Sequence, residues 1–129
     1  LKREGTDMVV ITWGALVQRS LLAAQQAEKD GISVAVFDLR SIMSYDWDGI
    51  AALVKKTNRV VIAHEDQLTC GFGAEIAARC AEECMFDLVA PVERVTGYDT
   101  HIPLFRLEMK YLPSTDKVIA AARRAMAYS

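Results

Sequence analysis

The chain has 129 residues, enough for one domain with a substantial core. It is 52% apolar and 25% charged, which excludes a disordered chain. A net charge of −2, spread over interspersed acids and bases, leaves no basic patch for nucleic acid. No apolar run is long enough to span a bilayer, and no signal-peptide pattern is visible, so neither a membrane nor a nucleic acid is expected as a partner.

The opening stretch Leu1-Lys2-Arg3-Glu4-Gly5 lacks an initial Met and is charged. Residues 1–7 therefore read as a linker remnant at a cut, and residues 8–129 as the domain. Met8 to Thr12 is a short β-branched run between Asp7 and Gly14 and reads as a buried strand. From Ala15 to Asp30, Leu16, Val17, Leu21, Ala24 and Ala27 recur at helical spacing, with Gly31 as the stop. Ile32 to Leu39 is a second apolar strand. Asp46 is placed to cap a helix through Lys56 whose inner face is Ile50, Leu53 and Val54. Arg59 to Ala63 reads as the third strand. Gly71-Phe72-Gly73 opens a helix to about Glu83, striped by Ile76, Ala77, Cys80 and Cys84. Val92 to Thr96 is a fourth strand, and Ser114 caps a last helix carrying Val118, Ile119, Ala122 and Met126.

Strands alternating with helices predict an α/β domain, a three-layer α/β/α sandwich around a mostly parallel sheet of about five strands. Near-continuous apolar strands fit a sheet covered on both faces. The longest irregular stretch, Gly97 to Pro113, is rich in aromatic and apolar residues, as interaction loops often are.

Three cysteines are present without a disulfide-framework spacing. Cys80 and Cys84 share a helix face and are expected to be buried, reduced thiols in a reducing compartment. Only His64 and His101 could join them around a metal, so no metal site is expected. Gly71-Phe72-Gly73 at a helix start can hold an anion on free N–H groups. The competing reading is a tight turn that lets the helix pack closely on the sheet. His64-Glu65-Asp66 lies past the third strand, where α/β folds build sites. An acid beside a histidine can serve as an acid–base pair, but no nucleophile accompanies it and adjacent strand residues point apart. A polar contact or a subunit interface is the simpler reading. Tyr98-Asp99-Thr100-His101 reads as a turn closed by an Asx-type bond. Lys55-Lys56 and Arg123-Arg124 read as solvated helix faces. Composition and periodicity thus define a fold and no catalytic residue, and leave open a free-standing anion-binding regulatory domain.

Several segments in order go further. They are Gly5-Thr6-Asp7 with Thr12-Trp13-Gly14, Asp38-Leu39-Arg40-Ser41, Lys56 to Val61 with His64-Glu65, Gly71 to Ala77, Ala90 to Thr100 with Ile102-Pro103, and Tyr111 to Ser114. Together they resemble the C-terminal, transketolase-like domain of the E1 β subunit of 2-oxo acid dehydrogenases, of pyruvate or branched-chain type. Asp38-Leu39-Arg40 also permits the same domain of a transketolase or a deoxyxylulose phosphate synthase. The resemblance implies a parent oxidoreductase that decarboxylates a 2-oxo acid on thiamine diphosphate with magnesium and acylates the lipoyl group of E2. It implies that this domain holds no cofactor and no catalytic residue. Its partners would be a second β subunit, an E1 α subunit or fused α region, and in several members the E2 core. A bacterial cytoplasm is implied, with the mitochondrial matrix as the alternative. Two departures stand out: Ser44 replaces a common Pro, and Val89 stands where E2-docking members place an Asp before Ala-Pro, with Asp87 out of register. The association surface is expected to include His64, Glu65, Tyr98, Asp99, Phe105 and Tyr111.

Overall fold

The computed structural model describes residues 1–128. Its elements are β1 (Met8–Thr12), α1 (Leu16–Lys29), β2 (Val34–Asp38), α2 (Trp47–Thr57), β3 (Val60–Gln67), α3 (Phe72–Glu83), β4 (Glu93–Gly97), α4 (Glu108–Tyr111) and α5 (Thr115–Met126). A single 3-10 turn, Met85–Asp87, follows α3. The sheet has four strands in the order β2-β1-β3-β4, all parallel.

The strand count is four where about five were expected, equal to the four apolar runs that the sequence identifies as strands. Arg3 forms one antiparallel bridge with Val36 on the free edge of β2, too short to count as a strand. Residues 1–7 are thus docked on the domain and do not hang as a free linker. Lys2 N–H donates to the Val36 carbonyl at 2.8 Å, and the Arg3 side chain donates to the Val34 carbonyl.

Side-chain alternation along the strands divides the core into two layers. Met8, Val10, Val34, Val36 and Val61 face α1 and α5. Val9, Ile11, Ala35, Val60 and Ile62 face α2 and α3. Helices on both faces explain why the strands are apolar throughout.

Local chemistry sets the helix ends. The Asp46 carboxylate accepts from Gly49 N–H at 3.0 Å and caps α2. Ser114 Oγ accepts from Lys117 N–H at the start of α5. After α1, the N–H groups of Gly31 and Ile32 return to the carbonyls of Glu28 and Ala27. Cys80 and Cys84 are free thiols buried on the α3 side of the core, and burial pushes the Cys80 thiol up to about 12.

Candidate functional site

In a sheet of parallel strands, all C-terminal ends lie along one edge. The order β2-β1-β3-β4 means that the chain winds one way from β1 to β2 and the other way from β3 to β4. The switch point between β1 and β3 is where open α/β sheets leave a crevice. The residues at that point are Trp13, just past β1, and His64, late in β3.

Their rings stack at a centroid distance of 5.1 Å and an interplanar angle of 11°. Phe72 meets Trp13 edge-on at 5.6 Å, and Tyr45 meets Phe72 the same way. His64 is 0% exposed, and neither ring nitrogen has a hydrogen-bond partner. The first turn of α3 closes over it. A Cβ on Gly73 would lie 2.4 Å from Nε2, and one on Gly71 would lie 2.1 Å from the Gln67 carbonyl oxygen. The two glycines of Gly71-Phe72-Gly73 therefore serve close packing of helix on sheet. Burial lowers the His64 pKa; Arg94 adds to the effect and Asp66 opposes it, so the imidazole stays neutral where an exposed histidine would titrate.

The β3 end departs from simple alternation. The ladder to β4 shifts register between Ala63 and Gln67, and Gln67 pairs with Gly97. After buried His64, both Glu65 and Asp66 face solvent. The sequence reading ended this strand at Ala63 because the apolar run stops there; backbone pairing continues to Gln67.

Two loops are tied together beyond this edge. Asp99 accepts from both the backbone N–H and the hydroxyl of Thr69, and these bonds hold its carboxyl below the usual range. Gln67 Nε2 donates to the Thr100 carbonyl at 2.7 Å, and Arg94 donates to the Leu68 carbonyl at 3.0 Å. Asp99 is thus a clamp between loops and does not close an Asx turn within its own.

Below the clamp lies a recess of about 350 Å³ lined by Trp13, Glu65, Asp66, Ile102, Tyr111 and Leu112. Tyr111 is 2% exposed, and its buried hydroxyl has no hydrogen-bond partner. It presses on Gly97, where a Cβ would sit 2.5 Å from Oη.

Of the six residues expected at an association surface, Glu65, Tyr98, Asp99 and Phe105 are exposed, whereas His64 and Tyr111 are buried within the domain. The irregular stretch therefore divides. Tyr111 folds back to complete the domain, while Ile102, Leu104, Phe105, Leu107 and Met109 stand outside, with Phe105 90% exposed. These exposed apolar side chains alternate with the charged Arg106 and Glu108 along the loop. Trp13 enters the sequence reading only within the Thr12-Trp13-Gly14 segment of the family resemblance; its one local signal for a site is an aromatic residue directly after a strand end.

A three-layer α/β domain with a parallel sheet, a closely packed glycine turn and an apolar loop at the sheet's C-terminal edge is the architecture of a transketolase-type C-terminal domain. The chain belongs to that family: the profile described as "Transketolase, C-terminal domain" matches residues 1–118. It is 41% identical over 128 residues to the pyruvate dehydrogenase E1 component subunit beta of Staphylococcus epidermidis, covering 99% of this chain and 39% of that protein. The subunit of the same name from Staphylococcus aureus is also 41% identical, with the same coverage. The chain thus spans about two fifths of the length of the curated relatives it matches. Among solved structures, "Split gene transketolase, inactive beta4 tetramer" superposes with a TM-score of 0.84 at 28% identity, covering 98% of this chain and 40% of that one. A 2-oxoglutarate:ferredoxin oxidoreductase from Magnetococcus marinus shares the fold at a TM-score of 0.62 and 13% identity, over 95% of this chain and 18% of that one.

Proposed function

We propose that this domain is the C-terminal part of the β subunit of a 2-oxo acid dehydrogenase E1 component and that its role is assembly. The observation that carries the reading is the exposed apolar loop around Phe105 at the C-terminal sheet edge, in a chain 41% identical along its length to pyruvate dehydrogenase E1 β subunits. The names of those relatives favour E1 over transketolase or deoxyxylulose phosphate synthase, and pyruvate over a branched-chain 2-oxo acid. A structural relative described as a β4 tetramer supports association between β chains. The parent enzyme then decarboxylates its 2-oxo acid on thiamine diphosphate and magnesium and passes the acyl group to lipoyl-E2.

We place the cofactor outside this domain. The Gly71-Phe72-Gly73 turn, the one anion-binding candidate in the sequence, is instead packed closely on His64. The partners are a second β subunit through the C-terminal edge and an α subunit or fused α region. For E2, Val89 offers no carboxylate to a partner arginine where docking members of the family carry one.

Calorimetry of the 129-residue chain with thiamine diphosphate and magnesium tests the division of labour. The expected result is no binding in the micromolar range. Micromolar binding would overturn the assignment of a purely assembling role.

A further inference from the structure

Glu65 and Asp66 are consecutive exposed carboxylates, and neither forms an ion pair with a described residue. What sets Glu65 and Asp66 apart from the other carboxylates without an ion pair is their setting: they rim the recess walled by Trp13, Ile102, Tyr111 and Leu112. Tyr111, which lines the same recess, carries a buried hydroxyl with no partner.

Paired carboxylates, an indole ring and apolar walls describe the preferences of one side chain. A guanidinium is planar, stacks on aromatic faces, donates five N–H bonds and is more weakly hydrated than an ammonium. Lysine satisfies the charge but not the stacking.

The chain itself supplies such a group. Arg106 is exposed and has neither an ion pair nor a side-chain hydrogen bond among the described residues. Every other arginine is engaged: five pair with a carboxylate. The remaining three donate to backbone carbonyls. Arg106 lies between Phe105 and Leu107 on the loop that also provides the Ile102 wall of the recess. At Phe105 the backbone turns through φ 47°, a left-handed conformation uncommon for a bulky residue and a mark of a locally strained loop.

We propose that the recess receives Arg106 of a second copy of this chain, while Arg106 of the first enters the recess of the second. The inference rests on the association reading above and names its specificity element. A two-fold contact is self-complementary, since residue i meets j and j meets i. One loop then supplies both the plug and part of the socket. Phe105, Leu107 and Met109 surround the plug and exclude water from the charge pair, the condition under which such a pair is strong.

Charge reversal tests the pairing, read by sedimentation velocity on the 129-residue chain over a concentration series. Arg106→Glu should raise the dimer Kd by at least about thirtyfold. The pair Glu65→Arg and Asp66→Arg should act similarly, and Arg106→Gln should weaken association without introducing repulsion. Combining Arg106→Glu with both carboxylate reversals should recover most of the affinity. All these positions are exposed, so unchanged thermal unfolding serves as the folding control. If the single reversals weaken association and the combined variant does not recover it, the pairing is overturned. If Phe105→Glu dissociates the dimer while Arg106→Glu leaves it intact, the pairing fails and the association reading survives. A wild-type chain that stays monomeric throughout overturns both.

Discussion

Gly73→Ala sets two opposing effects against each other. Alanine is preferred over glycine in a helix by roughly 0.5–1 kcal/mol, partly because it restrains the unfolded chain. The Gly73 backbone lies in ordinary helical geometry in α3, so nothing in φ or ψ opposes the change. Space does. The new Cβ would lie 2.4 Å from His64 Nε2, 2.5 Å from Cδ2 and 3.1 Å from Ile62 Cγ2. His64 is fully buried and backed by the Trp13 ring, so it has nowhere to move without breaking the stack. Overpacking of a tight site costs about 1–3 kcal/mol, which exceeds the propensity gain. The expected outcome is a net destabilisation of about 1–2 kcal/mol, seen as a lower urea midpoint at unchanged m. Adding His64→Ala removes the obstacle, so the double variant should be less unstable than the sum of the singles. A Gly73→Ala chain as stable as wild type, or more so, would refute the packing argument and return the glycine turn to a ligand-binding reading.

Other outcomes follow from the same geometry. Because His64 has a lowered pKa, the unfolded chain takes up its proton first as pH falls below the ordinary value of 6.5. The His64 contribution to stability is therefore complete above that pH and declines below it by at most about 1.4 kcal/mol per pH unit. His64→Gln should flatten that part of the urea-midpoint profile, and an unchanged acid limb would contradict the assignment. Cys70 is exposed while Cys80 and Cys84 are buried with raised pKa values, so a thiol reagent should titrate one cysteine in the native chain and the other two only on unfolding. Asp46→Ala removes the cap bond to Gly49 N–H and should cost about 1 kcal/mol in chemical denaturation, with no effect on association.

Helix limits and strand faces were legible in the sequence because each has a local cause. Asp46 and Ser114 cap where their side chains can reach a free N–H, Gly31 stops α1, and apolar runs become strands covered on both sides. The candidate site was legible only in part. His64 and Glu65 stand out in the sequence because strand ends are where α/β folds place sites, and Tyr98 and Asp99 because they open the long irregular stretch; of the four, only His64 is buried. The stack of Trp13 on His64 joins residues distant in sequence and leaves no trace in periodicity. The β3 continuation to Gln67 was missed because backbone pairing, not hydrophobicity, extends it. The stretch from Tyr98 to Leu112 carries apolar residues along its whole length, yet Tyr111 is buried and Phe105 exposed. That division depends on Gly97, whose missing side chain makes room for the Tyr111 ring, and only three-dimensional contacts reveal it.

Association through the C-terminal sheet edge is the central claim, and sedimentation equilibrium of the wild-type chain beside Phe105→Glu tests it most directly. Phe105 is almost wholly exposed, so glutamate there should leave the thermal unfolding of the monomer unchanged. In a contact, the same carboxylate would be desolvated without a partner. The account predicts a wild-type chain whose apparent mass rises towards that of a dimer with concentration, and a Phe105→Glu chain that stays monomeric. A wild-type chain that remains monomeric at high concentration, or a Phe105→Glu chain that dimerises as well as wild type, would contradict it.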